Sequence, residues 1–151
     1  MNPVVHFEMP YEDADRMAKF YQSAFKWKTK KLGEKMGDYV LARTTESSPD
    51  GTPLKVARIN GGFFPKKADW PVQHPAVVIA VEQIGKAMQK VTAAGGQVLG
   101  EPMDIPGVGA YVAFMDTEGN RVSMLEPLPM MKARPKAKAK KKSKAKAKAK
   151  R

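Results

Sequence analysis

Two stretches of this sequence carry the same order of local signals: a short β-type run, an amphipathic helix, then several strand-like runs separated by turn residues. In the first, Pro3–Met9 leads into a helix whose apolar residues Met17, Phe20, Tyr21, Ala24 and Phe25 recur at i, i+3, i+4, i+7 and i+8. Asp13 and Asp15 stand at its front, where carboxylates complement the positive end of a helix. In the second, Ala76–Val81 leads into Ile84, Ala87, Met88 and Val91, with Glu82 near the start and Gly95-Gly96 as the stop. A shift of 70 sets His6 on Ala76, Glu12 on Glu82 and Met17 on Ala87. Beyond the helices a shift of 72 sets Gly37-Asp38-Tyr39-Val40 on Gly109-Ala110-Tyr111-Val112, and Thr45-Glu46 on Thr117-Glu118. Matches kept in order from His6 to Glu46 indicate an internal duplication. The expected fold class is therefore α+β, built from two tandem βαβββ units at about residues 1–64 and 74–129.

Composition removes several function classes. With no Cys in 151 residues there is no disulfide, thiolate zinc site or cysteine nucleophile, so a metal would need His, carboxylate or water ligands. Apolar runs such as Ala76–Val81 fall far short of the roughly 18–20 residues a membrane span needs. Met1–Pro10 lacks a signal-peptide pattern, and the expectation is a cytoplasmic protein with no membrane partner.

The net charge of +12 belongs to one end of the chain. From Lys132 to Arg151 there are 12 of the 27 basic residues and no acid, so the remaining 15 balance all 15 acids in residues 1–131. That end contains only Lys, Ala, Arg, one Pro and one Ser, with nothing to offset the ordering entropy of a core, and residues 130–151 are expected to be disordered. Its Lys spacing repeats like charge at i,i+4, which opposes a free helix.

The string His6-Phe-Glu-Met-Pro-Tyr-Glu-Asp13 leading into Phe20-Tyr21, together with Asp116-Thr-Glu-Gly-Asn120-Arg121 before the last strand-like run, resembles the vicinal oxygen chelate superfamily. That superfamily includes glyoxalase I, bleomycin-resistance proteins, extradiol dioxygenases and methylmalonyl-CoA epimerase. The resemblance covers about residues 3–128 and extends to small bacterial proteins related to lactoylglutathione lyase, which tend to carry Gly-Trp after the first helix where this chain has Phe25-Lys26-Trp27. It implies a glyoxalase-like domain over residues 1–129, in which the two units form a curved mixed sheet around a cleft. It also implies a homodimer and a small-molecule ligand.

Strand alternation then sorts the residues. His6 and Glu8 share one face of the first strand, while Val5, Phe7 and Met9 share the helix-packing face. Ala76, Val78 and Ala80 are expected to face the cleft, as are Arg121, Ser123 and Leu125 if Val122 and Met124 pack inward. Metal-dependent members of the superfamily draw His, Glu or Gln from the first and last strand of each unit. His6 falls on the first of these positions, but its counterpart is Ala76, Ser123 stands where a Glu is usual, and Arg58 or Asn60 covers the fourth. The resemblance thus implies that the usual divalent-metal centre is missing, and a metal would need a rearranged set such as His6, Glu8 and His74. That arrangement would support lyase, isomerase or dioxygenase chemistry.

Glu8 has two readings: a cleft carboxyl with a raised pKa acting as a catalytic general base beside His6, or a salt bridge to Arg58 or Arg121. Trp27, Tyr39, Phe63, Phe64, Trp70 and Tyr111 could wall an apolar pocket or form plain core. Neither Gly61-Gly62 nor Gly107–Gly109 has a phosphate-loop pattern. The cleft candidates are thus His6, Glu8, Arg58, Asn60, Ala76, Arg121 and Ser123. The basic end, through Lys136, Lys138, Lys140, Lys141, Lys142, Lys144, Lys146, Lys148, Lys150 and Arg151, reads as a phosphate-backbone binder without base selectivity. It resembles the arms of linker-histone-like and nucleoid proteins, so the competing expectation is a nucleic-acid partner and nucleoid association.

Overall fold

A computed structural model describes residues 1–129, and the expectations for the basic segment lie outside the described residues. The first unit runs β1 (Val4–Tyr11), α1 (Ala14–Phe25), β2 (Lys28–Lys31), a 3-10 turn (Glu34–Met36), β3 (Val40–Arg43) and β4 (Asn60–Pro65). The second runs β5 (Ala76–Ala80), α2 (Ile84–Ala93), β6 (Gln97–Ile105), β7 (Gly109–Met115) and β8 (Arg121–Pro127). All eight strands join one open, curved sheet in the order β2-β3-β4-β1-β5-β8-β7-β6. The α+β arrangement expected from the duplication is observed, and both units contribute to a sheet built within a single chain.

The duplication is visible in the hydrogen-bond register. Within each unit the first and last strands pair parallel, β1 with β4 and β5 with β8. The units meet where β1 and β5 pair antiparallel, with Phe7 opposite Val77 and, to either side, His6 opposite Val78 and Glu8 opposite Ala76. The pair Phe7–Val77 differs by 70 and marks the pseudo-twofold centre of the sheet. Val40 pairs with Phe63 as Val112 pairs with Met124, so the offset of 72 persists and Tyr39 and Tyr111 occupy equivalent places.

Both helices lie on the convex face over two apolar clusters. Val40, Ala42 and Phe63 take Phe7, Met9, Ala14, Met17, Tyr21 and Trp27 around them. Val81, Ile84, Val112, Phe114 and Met124 take Ile79, Ala87, Met88, Val91 and Val122. The buried stripe of α1 is narrower than its apolar pattern: Phe20 and Phe25 are each 57% exposed, and both rest edgewise or tilted on Tyr21, whose ring stacks on Trp27 at 4.7 Å.

The caps are local with one exception. Asp13 accepts from the Arg16 N–H at 2.9 Å, and Lys26 takes the left-handed conformation (φ 60°) that closes α1, at the place where a Gly is usual. On α2, Gln83 gives no side-chain cap, and Glu82 does not supply one either. Glu126 of β8 accepts from the Ile84 N–H at 2.8 Å instead. Asp116 explains the hairpin motif, since its Oδ1 accepts from the backbone N–H groups of Glu118 and Asn120 while Gly119 takes φ +79°. Among the described residues, no helix is long and apolar enough to cross a membrane.

Candidate functional site

The concave face of the sheet carries a cluster of polar side chains where the two units meet. Because Phe7 and Met9 turn into the convex core, His6 and Glu8 of β1 project from the other face. Ser123 is fully buried on the same face through its pairing with Val78, which itself pairs with His6. Tyr39, beside the core residue Val40, and Tyr111, beside Val112, point the same way from equivalent places in the two units.

Their hydroxyls converge on the two titratable residues of β1. Tyr111 donates to Glu8 Oε2 at 2.9 Å, Ser123 Oγ lies 3.2 Å from the same oxygen, and the two hydroxyls are 2.7 Å apart. Tyr39 Oη lies 2.9 Å from His6 Nε2 and also near Glu8. The close packing of Tyr39 needs Gly62, where a Cβ would overlap the phenol ring. One carboxyl thus sits between a duplicated pair of phenols, while its own counterpart in the second unit is Val78.

Burial governs the electrostatics. Glu8 is 7% exposed, and loss of hydration raises its pKa against the opposing pull of Tyr111, Ser123, Arg121 and Tyr39. The Tyr111 and Ser123 hydroxyls donate toward the same carboxyl oxygen, which favours the ionised form and offsets part of that desolvation. Desolvation pushes His6 down to about 4, so its imidazole is neutral near pH 7. Burial and the neighbouring Glu8 raise both Tyr39 and Tyr111, which keep their protons and donate. The cluster can accept a proton from a bound molecule or return one to it.

The other sequence candidates separate. Arg121 stands on the same face, its guanidinium 5.1 Å from the Trp70 ring and 5.9 Å from Phe64, and it forms no ion pair with Glu8. Ala76 lies opposite Glu8 and leaves only a methyl group there. Asn60 heads β4 beside His6, but its amide is committed to the following loop, accepting from Thr44 N–H and donating to Ser47 Oγ and the Gly51 carbonyl. Arg58 precedes β4 and is exposed, so neither salt bridge considered for Glu8 forms. His74 is an exposed loop residue. Of the aromatic candidates, Phe63 and Trp27 are core, whereas Tyr39 and Tyr111 contribute hydroxyls rather than mere walls. The signal for that role was their shared offset, combined with the core parity of Val40 and Val112.

As ligands for a divalent metal, His6 and Glu8 supply one imidazole and one carboxylate, and among the described residues no third His, Cys, Asp or Glu joins them. Tyr39 also occupies the Nε2 side of His6. These residues do not fit a centre of three or more protein ligands.

A duplicated βαβββ chain with a polar cluster on the concave side of one sheet defines a glyoxalase-type cleft protein. The family model described as Glyoxalase/Bleomycin resistance protein/Dioxygenase superfamily matches residues 4–124, and the chain belongs to that superfamily. It is similar to "Putative glyoxylase CFP32" of Mycobacterium tuberculosis and Mycobacterium bovis, 38% identical over 73 residues, which are 48% of this chain and 28% of the relative. The match thus spans under a third of those relatives' length. The fold is shared with hypothetical protein BH1468 from Bacillus halodurans (TM-score 0.61, 15% identity, 87% of this chain and 99% of that one). It is also shared with methylmalonyl-CoA epimerase from Mycobacterium tuberculosis (TM-score 0.59, 12% identity, 83% and 88%).

Proposed function

We propose that the concave face binds a small organic molecule, with Glu8 as the proton-exchanging group and without the divalent-metal centre usual in the superfamily. The observation that carries the reading is the convergence of Tyr39, Tyr111 and Ser123 on His6 and Glu8 at the junction of the two units. Burying a carboxyl costs stability that the surrounding donors offset only in part, and service as a proton acceptor in a sheltered cleft accounts for keeping it there. A fragment library screened by NMR against chelator-treated protein tests it. Bound fragments should perturb the ring signals of Tyr39 and Tyr111, and Glu8→Gln should weaken those that bring a donor. Fragments that bind only after a divalent ion is added would favour a metal-dependent lyase, isomerase or dioxygenase using His6.

A homodimer is proposed on family resemblance, which sedimentation would test. The 12 basic residues from Lys132 to Arg151 support a second, separable property, contact with nucleic acid. Truncation after Met131 should abolish salt-sensitive DNA binding while leaving the melting temperature unchanged. Full-length protein should show a log K against log salt slope no steeper than about −10. Retained binding in the truncated chain would refute the assignment.

A further inference from the structure

Glu8 and Arg121 face the same cleft at the same level of the sheet but do not meet. Glu8 pairs with Ala76 on β5, and the parallel register Val78 to Ser123 sets Arg121 beside Ala76 on the next strand. Two strand spacings, about 10 Å, separate the backbones of Glu8 and Arg121 with Ala76 between them, and the Arg121 side chain leans across β5 to reach Phe64 of β4. Each charged group is held away from the other. Glu8 is engaged by Tyr111 and Ser123, while the Arg121 guanidinium is held against the rings of Phe64 and Trp70.

Within residues 1–129 the guanidinium has no anionic partner. Among the described residues the ion pairs are Lys31–Asp15 and Lys66–Glu12, and Arg121 makes no hydrogen bond to a carboxylate or carbonyl. Its aromatic neighbours satisfy the face of the cation and leave its in-plane N–H groups unused, in the fork that suits an oxyanion. Trp70 comes from the connection between the two units, where Gln73 clasps the backbone of Lys67 and Trp70. Lys67 lies 4.6 Å from the indole centroid and adds positive potential beside Arg121.

We infer that the concave face between the Glu8 cluster and the Arg121 guanidinium is a subsite for a small organic oxyanion that also carries a hydrogen-bond donor. Arg121 takes the carboxylate or phosphate, and the Glu8 cluster takes the hydroxyl or amino group. This assignment rests on the small-molecule reading of the cleft and names the class of molecule it takes.

Titration of 15N-labelled, chelator-treated full-length protein tests it, read at the Trp70 indole N–H and the Arg121 Nε–H. The probes are glycolate and 3-hydroxybutyrate for the carboxylate arm, phosphoethanolamine and inorganic phosphate for the phosphate arm, and ethylene glycol as the neutral control. One anionic arm should shift both signals saturably and ethylene glycol should not, which also identifies the oxyanion. Arg121→Gln should weaken that binding by about tenfold or more, and Ala76→Leu should abolish it. Arg121→Gln alone carries the test if Ala76→Leu loses the dispersed spectrum of the folded chain. Equal binding of the anions to wild type and Arg121→Gln would overturn the inference. So would neutral fragments that bind the cleft while no anion does, a result that leaves the small-molecule reading intact. No cleft response to any probe or fragment would overturn both.

Discussion

Acid should weaken the folded state through His6, by an amount the structure sets. The imidazole is held neutral by burial, with its pKa lowered from 6.5 to about 4. Between those values the unfolded chain binds a proton that the native one refuses. The His6 contribution to stability is therefore intact above about pH 6.5, falls as the pH drops, and is lost by about pH 4. A separation of about 2.5 pH units, at about 1.4 kcal/mol for each, comes to about 3 kcal/mol. Urea unfolding of chelator-treated wild type and His6→Gln at matched ionic strength, from pH 8 to pH 4, isolates this effect as the difference between the two stability curves. The Gln amide reaches the place of Nε2 and keeps a partner for the Tyr39 hydroxyl but does not titrate. Glu12, Asp13, Asp50 and Asp116, whose pKa values are depressed by their own hydrogen bonds, contribute equally to both proteins and cancel. The wild-type advantage should shrink by about 3 kcal/mol from pH 7.5 to pH 4. A difference that stays flat across that range would refute the burial argument.

Glu8→Gln should give the opposite trend, because a carboxyl with a raised pKa destabilises the native state once it is ionised. Relative to the Gln variant, wild type should lose stability as the pH rises from 4.5 through the elevated value, about 1.4 kcal/mol for every tenfold weakening of acidity. A wild type that gains on the variant over that rise would contradict the assignment. Gly62→Ala should cost about 1–3 kcal/mol by forcing the new methyl into the Tyr39 ring, and a second change, Tyr39→Ala, should recover part of that loss in thermal melts. Lys26→Gly should stabilise by about 0.5–1 kcal/mol, since glycine removes the left-handed strain at φ 60° against its own entropic cost, and an unchanged melting temperature would contradict it.

The duplication made the fold legible. Offsets of 70 and 72 reappear as the Phe7–Val77 pair and as the matched registers of Val40 with Phe63 and Val112 with Met124. Strand parity placed Phe7, Met9, Val122 and Met124 with the core because one face of each strand is buried. What escaped the sequence depends on contacts between distant segments. Glu126 caps a helix that begins 42 residues earlier, and no local pattern announces such a partner. Phe20 and Phe25 fit the helical period yet stay exposed, because Tyr21 and Trp27 already fill the space against the sheet. Asn60 has the polarity of a cleft residue, but the loop between β3 and β4 claims its amide. Tyr39 and Tyr111 were readable as a matched pair. Their convergence on Glu8 needed the antiparallel meeting of β1 and β5, which joins the two units edge to edge in one curved sheet.

Elemental analysis of tag-free protein for zinc, nickel, manganese, iron, cobalt and copper, with His6→Ala alongside, tests the central claim most directly. A cleft that works through Glu8 and its hydroxyl partners predicts metal far below one per chain, unchanged by the substitution and by prior incubation with each ion. Close to one metal per chain, lost in His6→Ala, would contradict it.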